Sequence, residues 1–553
     1  MLKSRYKSSI FLMILAFLIL NLACNSQPKT IFQEEKIQES SDKPKQDRKS
    51  TTGTFIFSRF LGGQWEDDIG GVVIDSRGNI IVTGVTMSSD FPIFQPKFPN
   101  VTHGSYLTKF SPNGIVLWST YIAEASSGYA VAVDTEDNII LVGNTITSDF
   151  PIKSAYDSVY NGDCDAYVMK LTKKGIQLWS TYIGGSKSET AYAVTIDHQN
   201  SIIITGSTYS ADFPLLNAYR SSYCKTFVSK FSSDGVLLFS TFLEGEEGHG
   251  LAVDSHDNLF VVGNGNSDSF ITKFSQNGSH IFSSLIGGES SDFGSGVAVD
   301  SQDNIIFVGC TRSSEFPTLN ARDPSYNGKF DVFISKFSTD SVLIWSSYLG
   351  GENDDLASSV VVDKLDNILI SGTTHSVEFP IVNAINDSNN GRGDVFLTKV
   401  NSTGSLIWST YIGGSKSDDA LAITLDEFSN PVIGGATESA DYPVTMDIPF
   451  RAGECEEDNT CLDAFISYLL DPLIKKYPKY SNSTSITDTT IATIDSTTQS
   501  SGKTITQSTN IHRSTGYPVI IVPGLLFSDI LIIASFIILL RSLRGKNSHR
   551  KNF

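Results

Sequence analysis

The chain has 553 residues, and its 60 acidic and 41 basic side chains give a formal net charge of −19. That charge argues against a nucleic-acid partner, because a phosphate backbone repels an acidic surface. Charged residues are only 18% of the chain and apolar ones 40%, so it can bury several cores, while six cysteines are too few for a disulfide-built scaffold at this length.

Residues 1–24, MLKSRYKSSIFLMILAFLILNLAC, place three cations before a short apolar run and small residues near Cys24. This is the layout of a secretory signal. Leu22-Ala23-Cys24 resembles a bacterial lipobox, which would make Cys24 a lipidation site, although Asn21 stands where a lipobox usually carries Leu. Simple cleavage and retention as an N-terminal anchor are the alternatives. Residues 25–53 are polar, without an apolar period, and read as a disordered tether.

Residues 54–473 are a repeat array. Its landmark is an aromatic-Ser pair at Phe57, Trp118, Trp179, Phe239, Phe282, Trp345 and Trp408, with spacings of 61, 61, 60, 43, 63 and 63. Each repeat then presents a β-branched run such as VVVD, a tight polar turn, a second run such as NILISG, a loop, and a third run such as DVFLTKV. These runs predict strands. The turns Asp75–Asn79, Asp134–Asn138, Asp254–Asn258, Asp300–Asn304 and Asp363–Asn367 predict hairpins in which the Asp accepts the turn's own N–H groups and Gly, Asp or Asn supplies positive φ.

Each unit is therefore a four-stranded meander. Outer strands are predicted at 55–61, 116–122, 177–183, 237–243, 280–286, 343–349 and 406–412. The inner sets begin near Val72, Val131, Val194, Leu251, Val297, Val360 and Leu421. The first outer strand precedes the first set, and the last set, ending in DAFISYLL, has none of its own. The expected fold class is thus all-β, a seven-bladed β-propeller whose N-terminal strand closes the last blade and leaves no open edge.

SSDFP at 88–92 returns five times as TSDFP, SADFP, SSEFP, SVEFP and SADYP. One copy per long loop suits scaffolding, with the aromatic packed at the foot of the loop and the acid capping N–H groups. Repeat four lacks the motif, passing through NGNSDSF directly into its third strand, and repeat two carries Ala123-Glu124 where most others carry Gly-Gly.

The recurring pattern FSxxxGG…VxVDxxxNIIVxGxTxSxDFP…DxxxxKFxxxG resembles the SBBP family, named for the seven-bladed β-propeller, over the whole of 55–470. The resemblance implies the fold and an exported or cell-surface setting. It implies little about activity, since propellers host both enzymes and binders.

Beyond the array, residues 474–516 are dominated by Ser and Thr and read as an extended stalk. Residues 517–540 are long enough to form a transmembrane helix, with Asp529 costing about 3 kcal/mol at a bilayer centre. The basic tail 541–553 is expected in the cytoplasm. Together the ends predict a single-pass cell-membrane protein with its propeller outside.

No HExxH, GxSxG, phosphate loop or paired CxxC is present, and the eight His form no ligand-spaced cluster. One-off polar residues are the remaining candidates. Trp65 could stack on a glycan or anchor a surface protein, and Glu246, Glu247 and His249 could bind a ligand or serve as acid and base. Asp67, Asp68, Asp292, Asp354, Asp355, Asp418 and Asp419 have two open readings, as Ca²⁺ ligands with backbone oxygens or as acceptors holding glycine-rich turns. No cofactor is required by any motif. Cys455 and Cys461 flank EEDNT and could form a local disulfide; Cys164 and Cys224, at matching places in blades two and three, could staple those blades if their loops lean together. Cys310 lies on an apolar strand, a buried thiol.

These features predict a binding or adhesion module without catalytic residues. A surface hydrolase or lyase sited at the short blade-four loop is one alternative, and an envelope-layer component another.

Overall fold

The computed structural model describes residues 55–446 and 462–472. The segments expected at 1–24, 25–53, 474–516, 517–540 and 541–553, with Cys24, Cys455 and Cys461, lie outside the described residues. Within them are 28 strands in seven four-stranded antiparallel sheets and no helix.

Blade 1 is β2 (Gly71–Ile74), β3 (Ile80–Thr86), β4 (Gly104–Phe110) and β5 (Val116–Ala123); blade 2 is β6 (Ser126–Val133), β7 (Ile139–Thr145), β8 (Asp165–Leu171) and β9 (Gln177–Ile183). Blade 3 is β10 (Glu189–Ile196), β11 (Ile202–Thr208), β12 (Thr226–Phe231) and β13 (Leu237–Leu243). Blade 4 is β14 (Glu247–Val253), β15 (Leu259–Asn264), β16 (Ser269–Phe274) and β17 (His280–Ile286). Blade 5 is β18 (Asp292–Val299), β19 (Ile305–Thr311), β20 (Asp331–Phe337) and β21 (Leu343–Leu349); blade 6 is β22 (Asp355–Val362), β23 (Ile368–Thr374), β24 (Asp394–Val400) and β25 (Leu406–Ile412).

Blade 7 joins the two ends of the array. Its strands β26 (Asp418–Leu425), β27 (Pro431–Thr437) and β28 (Asp463–Leu469) are completed by β1 (Phe55–Phe60), which pairs antiparallel with β28 through Ser58↔Ser467 and Phe60↔Phe465. The N-terminal strand closes the ring as expected, and five of the seven outer strands fall on the residues expected.

Most inner strands begin earlier than the sequence indicated. β22 starts at Asp355 and β26 at Asp418, because their polar first halves are continuous with the β-branched runs across a bulge, at Ala357/Ser359 in blade 6. Parallel bridges such as Phe330↔Asp354 and Gly393↔Ser417 tie these starts to the third strand of the preceding blade.

The core lies between neighbouring sheets. Ile80, Val82 and Tyr106 of blade 1 pack against Val432, Ile466 and Tyr468 of blade 7, and the same arrangement recurs around the ring. Burying these faces supplies the main drive for closure.

Two polar devices recur around the ring. In six blades the landmark Ser of the outer strand hydrogen-bonds a Ser or Thr hydroxyl of the third strand, as in Thr108–Ser119, Ser335–Ser346 and Ser58–Ser467, each 2.8 Å, while blade 2 sets Met169 opposite Ser180. At the opposite end the turn Asp accepts two backbone N–H groups and an Asn side chain, as at Asp75, and residues such as Asp137, Asp303 and Asp366 take positive φ there. A Lys from the third strand then pairs with the same Asp: Lys109 with Asp75 at 2.7 Å, Lys336 with Asp300 at 2.7 Å and Lys399 with Asp363 at 2.8 Å. Blade 7 substitutes Tyr468, whose hydroxyl donates to Asp426.

Candidate functional site

Two faces follow from this wiring. The Asp turns occupy one. The other, the loop face, carries the linkers between blades and the long loops between second and third strands.

The SSDFP motif clamps these two sets of loops together. Phe91 is buried against Tyr106, with ring centroids 4.4 Å apart, and Phe213, Phe316, Phe379 and Tyr442 repeat the contact on their own blades. The Trp65 N–H donates to Ser88 Oγ at 2.9 Å and the Gln64 N–H to Asp90 Oδ1 at 2.9 Å. Asp212 and Asp441 accept from Ser186 and Ser415 in the same way. The motif is a scaffold for the linkers.

Beneath five of the six clamps lies a carboxylate at the approach to an inner strand, and blade 2 has Ser126 there. Asp67, Glu189, Asp292, Asp355 and Asp418 each accept the N–H of the second linker glycine, at 2.7–2.8 Å. Each faces a second carboxylate, from the entry to the third strand of the preceding blade: Asp463, Asp165, Asp268, Asp331 and Asp394 respectively. Burial pushes Asp67, Asp331 and Asp418 up to about 7 and Asp355 and Asp394 up to about 6. The remaining carboxylates named from sequence stand aside from these pairs. Asp68 accepts from the Val85 N–H, Asp419 from the Thr373 hydroxyl, and Asp354 lies 3.9 Å from Lys329.

The one-off candidates do not form one site. Trp65 is 61% exposed in the linker into blade 1, three blades around the ring from His249. Glu246 is paired with Lys225. His249 Nε2 lies 3.2 Å from Glu247 and 3.1 Å from Asn264 Nδ2, and its ring lies against Tyr192, centroids 5.2 Å apart. Burial opposes the Glu247 charge, but the hydrogen bond from His249 and that ring's charge hold its carboxyl below the usual range. Tyr192 in turn meets Tyr129, so these rings form a row along three adjacent inner strands. Cys164 and Cys224 are separate thiols, and no staple joins blades two and three; Cys164 Sγ is 3.6 Å from the Glu189 carbonyl. Cys310 is buried on β19. Among the described residues no group of three or more His, Cys, Asp or Glu is gathered for a metal.

The largest departure from regularity is the outer edge of blade 4. In five blades the long loop lays a short extended segment along the outer strand, bridging Phe94↔Ser119, Lys153↔Ser180, Leu216↔Ser240, Leu319↔Ser346 and Val382↔Ser409. In blade 7 Thr445 and Met446 donate to the Ser58 carbonyl. Blade 4 crosses from β15 to β16 in four residues, and among the described residues no such bridge meets Ser283. Its outer strand is consequently exposed at Ser283 and at Leu285, the latter by 63%, where the other outer strands are buried; Ile281 is exposed as its counterparts Leu117, Leu178, Leu238 and Ile344 are. Leu285 stands where all six other blades have the aromatic that meets the loop's own ring, such as Tyr121 with Phe91 and Phe60 with Tyr442.

The SBBP Beta-propeller repeat matches residues 247–271 and 344–380. The chain carries SBBP repeats. Both matches fall on the units described above, the first on blade 4 and the second from β21 through the loop motif of blade 6. Among curated proteins the chain is 25% identical to an uncharacterized WD repeat-containing protein of Acanthamoeba polyphaga mimivirus, over 30% of this chain and 15% of that protein. The chain thus spans a small fraction of that relative's length. Similar solved structures include the RRP9 WD40 repeats, at a TM-score of 0.44 and 10% identity over 75% of this chain and 98% of that one. A catalytically inactive virginiamycin B lyase from Staphylococcus aureus, with quinupristin, has a TM-score of 0.44 and 9% identity over the same shares.

Within the SBBP pattern, the missing loop in repeat four was legible in the sequence as a gap. What the gap uncovers was not, because the covering segments PIFQ, PIKS, PLLN, PTLN and PIVN are too short and mixed to register as strands.

Proposed function

We propose that this protein is an interaction module which takes an extended polypeptide segment along β17, the bare outer strand of blade 4. One observation carries the reading: six of seven outer strands are covered by the chain's own loops, and the seventh is not. An uncovered edge strand pairs readily with another strand. The chemistry of the occupant follows from its counterparts, a Pro followed by apolar residues and Asn, as in Asp212–Arg220. Tyr219 stacks on His280 at 4.1 Å beside this edge and offers an aromatic platform. The exposed residues are apolar rather than a crowd of acids and bases, which favours binding over hydrolysis or lysis. The signal-like start, Ser/Thr-rich stalk and apolar 517–540 support a cell-surface setting in which the module is held at the membrane.

The test is fluorescence anisotropy with a labelled peptide of sequence DFPLLNAYR. Saturable binding to the full chain is expected, weakened at least tenfold by Ser283→Pro, which removes the pairing N–H, and by Leu285→Lys. No binding, or binding indifferent to both substitutions, would sink the proposal. So would dimerisation of the chain through the same edge.

A further inference from the structure

The linker carboxylates carry an inference that does not depend on the blade-four reading. Every blade junction has two facing positions, one at the entry to the third strand and one at the start of the next inner strand. Five junctions place a carboxylate at both. The other two do not, and their contents are informative. Between blades 3 and 4 the pair is Lys225 and Glu246, joined in an ion pair. Between blades 1 and 2 it is Gly104 and Ser126, without charge. The chain therefore neutralises these positions itself wherever it departs from the acid pair. Both departures also lose the Gly-Gly linker, becoming Ala123-Glu124 and Glu244-Gly245.

The junction of blades 5 and 6 shows what the acid pair leaves open. Asp331 and Asp355 are both 0% exposed; Asp331 Oδ1 has no hydrogen-bond partner, while Asp355 Oδ2 accepts from the Gly351 N–H and the Ser376 hydroxyl. A Cβ placed on Gly350 would fall 2.9 Å from Asp331 Oδ1 and 2.9 Å from Asp355 Oδ2, so the two carboxylates converge on that glycine. A Cβ on Gly328 would meet the same Asp331 Oδ1 at 2.9 Å, with the carbonyl oxygens of Gly351 and Asn353 at 2.6 and 2.3 Å. Asp331 Oδ1 is thus shared by two glycine corners, one completed by Asp355 Oδ2 and the other by two carbonyl oxygens. Asp67 and Asp292 also keep an unpartnered buried Oδ1 at their junctions.

Two buried carboxylates in contact cannot both stay charged without a compensating cation. One shared proton leaves a net negative charge, whereas a divalent ion cancels both charges, as Lys225 cancels Glu246. All the donors are hard oxygens, with no thiolate or imidazole, which is the ligand set of Ca²⁺ rather than of zinc or copper. We propose that the three two-carboxylate junctions that keep an unpartnered buried oxygen, those of Asp67, of Asp292 and of Asp331 with Asp355, each hold one Ca²⁺-type divalent cation, locking neighbouring blades together. The glycines are then required because any side chain there would fill the space between the carboxylates.

The full chain, stripped with chelator at neutral pH, is titrated with CaCl₂ alone by calorimetry, and its melting temperature is followed in parallel. Uptake of up to three ions per chain is expected, with the melting temperature rising on Ca²⁺ and falling on chelator. Asp331→Lys reproduces the Lys225–Glu246 arrangement. It should keep the fold while reducing uptake by one ion, and Asp331→Asn with Asp355→Asn should do the same should the lysine fail to fit. No uptake at millimolar Ca²⁺ with an unchanged melting temperature overturns the proposal, as does an ion count unaltered in both variants.

Discussion

At the residue scale the blades are pinned by buried ion pairs whose two halves are unequal. Asp300 accepts from the N–H groups of Gln302 and Asn304, from the Asn304 side chain, and from Lys336, and the Asp300 and Lys336 side chains are nearly out of solvent. Burial opposes its charge, yet Lys336 and the turn donors together hold its carboxyl below the usual range. Asp300→Ala leaves Lys336 without its counter-ion in a side-chain environment only 7% exposed, and should cost about 3–5 kcal/mol. Lys336→Tyr should cost far less, because Asp300 keeps its three turn donors and blade 7 already uses Tyr468 at this place. Denaturant midpoints of the two variants provide the comparison, and equal losses would contradict this account. The Asp half of the pair was legible, since turn chemistry demands an acceptor. The Lys half was written just as plainly, six times on otherwise apolar strands. It stayed unread because its partner lies two strands away in sequence, and nothing local links them.

At the element scale the outer strands were the most legible part, because an aromatic-Ser pair within a β-branched run has a single local meaning. The inner strands were read only in their second halves. Their first residues, such as Asp355 and Asp418, are polar and look like loop, and only their pairing across a bulge with Thr374 and Thr437 of the second strand makes them strand. The same limit hid the facing carboxylates, which belong to different repeats and meet only once the ring is closed. It also hid the segments that cover the outer strands. If those segments are what separates blade 4 from the rest, supplying one should erase the difference. Replacing Gly265–Asp268 with the blade-three loop, residues 209–225, should bridge Ser283, bury Leu285 and abolish binding of the DFPLLNAYR peptide while raising the melting temperature. Continued peptide binding by such a chimera would show that the bare edge is not the binding surface.

At the scale of the whole molecule, two rings of carboxylates impose opposite pH dependences. On the turn face Asp75, Asp134, Asp300 and Asp363 are held below their ordinary value despite burial, by their Lys, Asn and backbone donors. Their contribution to stability is present above the ordinary carboxylate pKa and fades as pH falls through the lower folded values. On the loop face burial raises Asp67, Asp331 and Asp418 to about 7 and Asp355 and Asp394 to about 6, from an ordinary 3.8. Those groups stabilise the propeller fully only below the ordinary value, and that contribution is lost as pH rises through 6 and 7. With cations removed, the melting temperature should therefore decline between about pH 4 and about pH 7, since the junctions of Asp67, of Asp331 with Asp355 and of Asp394 with Asp418 acquire buried like charges over that span. Saturating Ca²⁺ should flatten or reverse the decline, because the deprotonated pair is the form that holds the ion. Thermal melts across this range, in chelator and in Ca²⁺, separate the two outcomes. A chelated protein whose melting temperature rises steadily to pH 7 would mean that the junction carboxylates are compensated by some other group.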